Sequence, residues 1–124
     1  MDDYKQSAIR HFESAEILHN QQKYDTSAHL LGLAAECAIK DKCKITRADL
    51  TGVNGHLPDL FRIALRKVDM HHDRALHTLL KKNFFANWSI NDRYSSDGKV
   101  TQEMLNNWFA ETKQIFRHTG IKKK

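Results

Sequence analysis

One proline and five glycines in 124 residues leave this chain short of the turns that a β-rich fold consumes. No apolar run approaches the roughly 20 residues that a membrane span requires. The amino terminus, Met1-Asp2-Asp3-Tyr4, is acidic and has no apolar signal region, so a cytoplasmic protein with no membrane partner is expected. Only two cysteines are present, Cys37 and Cys43, six apart and without a CxxC. They fall on different faces of one predicted helix, which reads as buried thiols in a reducing compartment. Gly-rich phosphate loops, Ser-His-Asp arrangements and paired catalytic carboxylates are missing. The stretch Asp69-Met70-His71-His72-Asp73 follows no zinc spacing, and neither a metal nor a cofactor is expected.

What remains is ordinary globular composition, 40% hydrophobic and 28% charged, enough for one modest core. One domain over 1–121 is expected, with a basic disordered tail over 122–124. The net charge of +5 is unevenly spread: −2 over residues 1–40, +4 over 41–85 and +3 over 86–124. A basic second half is compatible with an anionic partner such as RNA or a nucleotide, and equally with a solvated basic surface.

Apolar periodicity predicts an all-α antiparallel bundle of about five helices. The first runs from about Asp3 to Gln21, with Tyr4, Ala8, Phe12, Ala15 and Leu18 on one face. The second, about Thr26 to Lys44 with Asp25 or Thr26 as its cap, is nearly all apolar from Ala28 to Ile39, which marks the central helix of a bundle. Asp25, His29, Gly32, Glu36 and Lys40 form one stripe along it. Gly32 costs roughly 1 kcal/mol against Ala inside a helix, and close helix packing would compensate. A carboxylate at Glu36 reads as part of a structural polar network with His29, Lys40 or Arg93, since an unpaired buried charge is costly. A third helix is expected over Leu57 to Val68, opened by Pro58. A fourth starts at Asp69 or Asp73 and runs to about Phe85, with Leu76, Leu79, Leu80 and Phe84 inward. The last is capped by Thr101, stapled by Val100 and Leu105, and stopped by Gly120. Its inner face carries Leu105, Trp108, Phe109, Thr112 and Phe116.

Three stretches carry a resemblance. They are "HFESAEILHNQQKYDTSAHLLGLAAECAIK", then "GHLPDLF", then "NDRYSSDGKVTQEMLNNWFAETKQIF". In this order and spacing, over roughly Ser7 to Phe116, the chain resembles the HEPN family of small α-helical bundles. The resemblance implies a homodimer formed through the helices. Many members of that family are metal-independent ribonucleases, often toxins or antiphage effectors, that use an Arg and a His with four to six residues between them. Others lack the pair and serve as binding or assembly modules, some beside a nucleotidyltransferase partner.

Arg93 matches the family's Arg, but Gly98, Lys99 and Val100 stand where the His would be. Metal-free RNA cleavage needs a base for the 2′-OH proton and an acid for the leaving oxygen, and His suits both. Arg supplies charge only. The expectation is therefore a non-catalytic module that contacts a partner protein or an RNA or nucleotide ligand through Arg93, Tyr94 and Lys99. For Arg93 the bland alternative is an ion pair with Asp92, Asp97 or Glu36, and for Trp88 and Tyr94 a place in the core. The functional alternative is a metal-independent endoribonuclease with a displaced histidine, in which Arg93 acts with His118. Other Arg–His neighbours, Arg74 with His77 and Arg117 with His118, do not match the family position. His56 is a further candidate for a displaced site.

Overall fold

The computed structural model describes residues 3–46, 48–52, 55–57, 59–69, 71–82, 84–85, 88 and 99–121. Among these lie five α-helices and one short 3-10 turn, with no strand, so the fold is the all-α bundle that the periodicity indicates. The helices are α1 (Tyr4–Asn20), α2 (Tyr24–Cys43), α3 (Leu60–Lys67), α4 (Arg74–Leu80) and α5 (Gln102–Thr119). The 3-10 turn is Ala48–Leu50. α2 packs against α1, α3 and α5, while α4 bridges α3 and α5.

α1 starts where the Asp3 side chain accepts a hydrogen bond from the Gln6 amide. It ends in a paired closure: the Lys23 amide donates to the Leu18 carbonyl at 2.9 Å and the Gln22 amide to that of His19 at 3.0 Å. Gln22 takes the left-handed conformation, φ 61°, that such a closure needs and that glycine usually fills. This tight turn sets the start of α2 at Tyr24, two residues earlier than the capping pattern suggests. The preceding Lys23 makes no side-chain cap, and Asp25 is spent elsewhere. Alanines at 8 and 15 on α1 and at 28, 34, 35 and 38 on α2 are all buried, which lets these two helices approach closely. A buried Ser27 hydroxyl donates to the Ala15 carbonyl at 2.7 Å and locks their register.

α5 follows the sequence closely. Thr101 caps it by accepting from the Met104 amide, and Gly120 ends it at φ 79°. Its buried residues are Leu105, Trp108, Thr112, Ile115, Phe116 and Thr119. Phe109 is half-buried and meets Phe12 edge-on at 5.6 Å.

α4 departs from expectation. Asp73 caps it, but the helix stops at Leu80 instead of near Phe85. After two turn residues the chain reverses with Phe85 at φ 57°. The reversal puts Phe85, fully buried, in the core position expected for Phe84, which stays half-buried. Phe85 stacks on Trp108 at 6.3 Å with the rings 4° from parallel. Its amide donates to the Glu111 carboxylate at 3.2 Å.

Gly32 is where α2 admits a side chain. A Cβ there would lie 2.1 Å from Cζ2 of Trp88, so the glycine makes room for an indole ring and not for a neighbouring helix. The indole N–H completes the fit by donating to the Ala28 carbonyl at 2.8 Å. Replacing Gly32 by Ala adds helix propensity worth about 1 kcal/mol but expels the ring and strands its N–H. We predict that Gly32→Ala is net destabilising by about 1–3 kcal/mol. Urea unfolding of the two proteins measures this, and an alanine variant as stable as wild type would contradict the packing.

Candidate functional site

The polar stripe of α2 reaches out to each part of the fold that packs on it. At its start the Asp25 carboxylate accepts from the Val100 amide at 2.9 Å, just before the α5 cap. Gly32 holds Trp88. Toward the other end, Glu36 is 2% exposed, and Lys40 places its ammonium 5.8 Å from the centre of the Tyr4 ring.

Glu36 finds a partner other than those expected from the stripe. One carboxylate oxygen meets Nδ1 of His56 at 2.9 Å and accepts from the Leu57 amide at 3.1 Å. These hydrogen bonds run neither to His29, which is half-buried on the same helix, nor to Lys40. Lys40 contributes a favourable charge at longer range. Burial pushes the Glu36 pKa up, and the nearby His56 opposes that shift only in part. The His56 side chain is 41% exposed, so the pair spans from core to surface. Chemically, a carboxylate holding an imidazole is the arrangement of a general base. Here its evident work is to fasten the segment that leads into α3, through both the histidine ring and the next backbone amide. The stretch "GHLP" held this signal. It went unread because the histidine is twenty residues away from Glu36 and off the helical stripe.

The remaining candidates are scattered. Arg93 and Tyr94 lie outside the described residues, as do Asp92 and Asp97. Their flanks are described: Trp88 is seated on α2, and Val100 is tied to Asp25 on the same helix. Trp88 therefore belongs to the core. Lys99 is exposed beside Val100. Both cysteines are free thiols, and burial pushes Cys43 up to about 11, which keeps its sulfur protonated and inert at neutral pH. The basic loop ahead of α3 is closed by Asp49, which accepts from the Thr46 amide and pairs with Lys67 at 3.2 Å. Those contacts hold its carboxyl below the usual range. In the His-rich stretch, Asp69 accepts from the His71 amide and contacts the His72 ring, so its oxygens serve the turn.

Two of the surface grooves among the described residues bear on function. One, of about 420 Å³, runs along the outer face of α1 and is lined by Gln6, Ile9, Arg10, Glu13, Ser14 and Ile17. Ile17 is 58% exposed. The other, of about 510 Å³, lies between α4 and the last turn of α5. It brings His118 together with Arg74 and Lys82.

Comparison of the chain with family models, curated proteins and solved structures found no match.

The Glu36 pair yields a pH-dependent expectation. A carboxyl whose pKa is raised by folding binds its proton more tightly in the folded chain. Its contribution is fully present below the ordinary value of 4.5 and is lost as pH rises through the raised folded value. Glu36→Gln keeps an acceptor for Leu57 without a charge to desolvate. Its stability relative to wild type should therefore improve as pH rises from 4 through the folded pKa. Glu36→Ala, which strands the Leu57 amide and the His56 ring, should cost about 1–3 kcal/mol at neutral pH. Urea denaturation of the three proteins across this range measures both effects. A wild-type to Gln difference that does not move with pH would show that the carboxylate is not desolvated.

Proposed function

We propose that this chain is a HEPN-like, non-catalytic assembly module that works as a homodimer and presents its Arg93 segment to a partner protein or to an RNA or nucleotide ligand. The observation that carries the dimer is the charge pattern on the outer face of α1. Gln6, Arg10, Glu13 and Ile17 recur at steps of four, three and four, the spacing of a helix seam. The stripe is self-complementary. In an antiparallel pair centred between Arg10 and Glu13, Arg10 faces Glu13 of the partner subunit, and Ile17 faces Gln6 of the partner subunit. A two-fold axis repeats each pair, as an isologous interface requires. Among the described residues neither Arg10 nor Glu13 forms an ion pair within its own chain, although i,i+3 spacing would allow one.

The non-catalytic reading rests on the residues after Arg93, where no histidine stands. The fixed flanks at Trp88 and Val100 fit a segment whose scaffold is kept for contact.

Charge reversal tests the seam. Wild type should scatter light at about twice 14.4 kDa at micromolar concentration. Arg10→Glu or Glu13→Arg alone puts like charges together twice per dimer and should give monomers. The double variant Arg10→Glu/Glu13→Arg restores the pairing and should dimerise again. A wild type that stays at 14.4 kDa, or a double variant no better than the singles, would remove this seam.

A separate assay addresses catalysis. Wild type incubated with single-stranded RNA and no metal should leave it intact. Cleavage that Arg93→Ala abolishes would instead make the chain a ribonuclease with a displaced histidine.

A further inference from the structure

The groove between α4 and α5 gathers positive charge that the fold does not use. Arg74 opens α4, and Thr78 and Lys82 follow at steps of four, so all three share one side of that segment. Lys82 stands two residues past the helix, held by its amide donating to the Leu79 carbonyl at 3.0 Å. His118 comes from the last turn of α5, and the buried Thr119 beside it fixes that turn against the core. Between these polar groups lie Ala75 and Leu79, an apolar floor.

Three cations elsewhere form ion pairs among the described residues. Arg62 pairs with Asp59, Lys67 with Asp49, and Lys42 with Asp73. Arg74 and Lys82 have no such acidic partner among the described residues. Lys82 leans instead over the Phe84 ring at 5.9 Å. Two cations and an imidazole therefore line one concavity, with no carboxylate among its described lining residues.

We propose that this groove binds a phosphate monoester that carries an organic body of about nucleoside size. A phosphate monoester holds close to two negative charges at neutral pH and three acceptor oxygens. That matches one guanidinium fork, one ammonium and one ring N–H. A carboxylate would bring only one negative charge to the two cations. The volume of about 510 Å³ far exceeds a bare phosphate, and the Ala75–Leu79 floor provides an apolar surface for the rest of the ligand. The site is separate from the Arg93 segment and from the α1 seam, so it stands or falls independently of them.

Adenosine 5′-monophosphate, adenosine and inorganic phosphate are the probes, titrated into the full-length, isotopically labelled protein at low salt. The monophosphate should shift amide resonances of Arg74 to Lys82 and of the last turn of α5. Inorganic phosphate should bind the same residues more weakly, and adenosine should leave them unmoved. Arg74→Ala and Lys82→Ala, both at exposed positions, should each weaken binding by about tenfold. His118→Ala should weaken it less. Lys113→Ala, which removes an exposed cation of α5 outside this groove, should have no effect. Shifts that are absent, that spread over all basic residues, or that Lys113→Ala reduces as much as Arg74→Ala would overturn the site. Equal binding of inorganic phosphate and the monophosphate would overturn the nucleoside-sized ligand.

Discussion

α2 is buried on nearly every side, and this constrains the rest of the molecule. Polar groups on the buried faces of such a helix need partners, and other parts of the chain supply several of them. Glu36 illustrates the consequence. Its carboxylate is desolvated, and the fold answers by bringing His56 and the Leu57 amide to it from the segment before α3. The approach of α3 to α2 is thus set partly by a charge, where apolar packing alone would permit sliding. Asp25 does the same for the start of α5, and the Ala28 carbonyl does it for Trp88.

The same contacts bracket the segment that contains Arg93. On one side Phe85 is wedged against Trp108, its amide held by Glu111, and Trp88 fills the gap over Gly32. On the other, Val100 is tied to Asp25 before α5 begins. Both flanks are therefore tied to α2. This explains why the aromatic at position 88 is structural: its energy goes into fixing the flank and is not available for stacking on a base.

How much of this was legible in the sequence depended on the range of the interaction. α5 was readable from end to end, because Thr101, Val100 with Leu105, and Gly120 act within one or two turns of their own helix. The burial of α2 was readable from its apolar run. The role of Gly32 was half-readable: a compensation was required, but the sequence could not say that an indole from position 88 would supply it. The Phe84 and Phe85 exchange was hidden because a positive φ at a bulky residue has no local signature, and the stacking on Trp108 that enforces it is a tertiary contact. His56 was hidden for the same reason. Asp25 looked like a cap because its type and position fit one, yet a longer-range amide claimed it.

That distinction bears on the functional reading. Local patterns could identify Arg93 and the missing histidine, but they could not reveal which histidines tertiary contacts had already engaged. His56 is held by Glu36, and His19 meets Asn106 at 3.3 Å. His118 differs in company, because it shares its groove with Arg74 and Lys82 and with no carboxylate. Two cations favour an anionic ligand. The groove therefore has the charge for the phosphate ligand proposed for it.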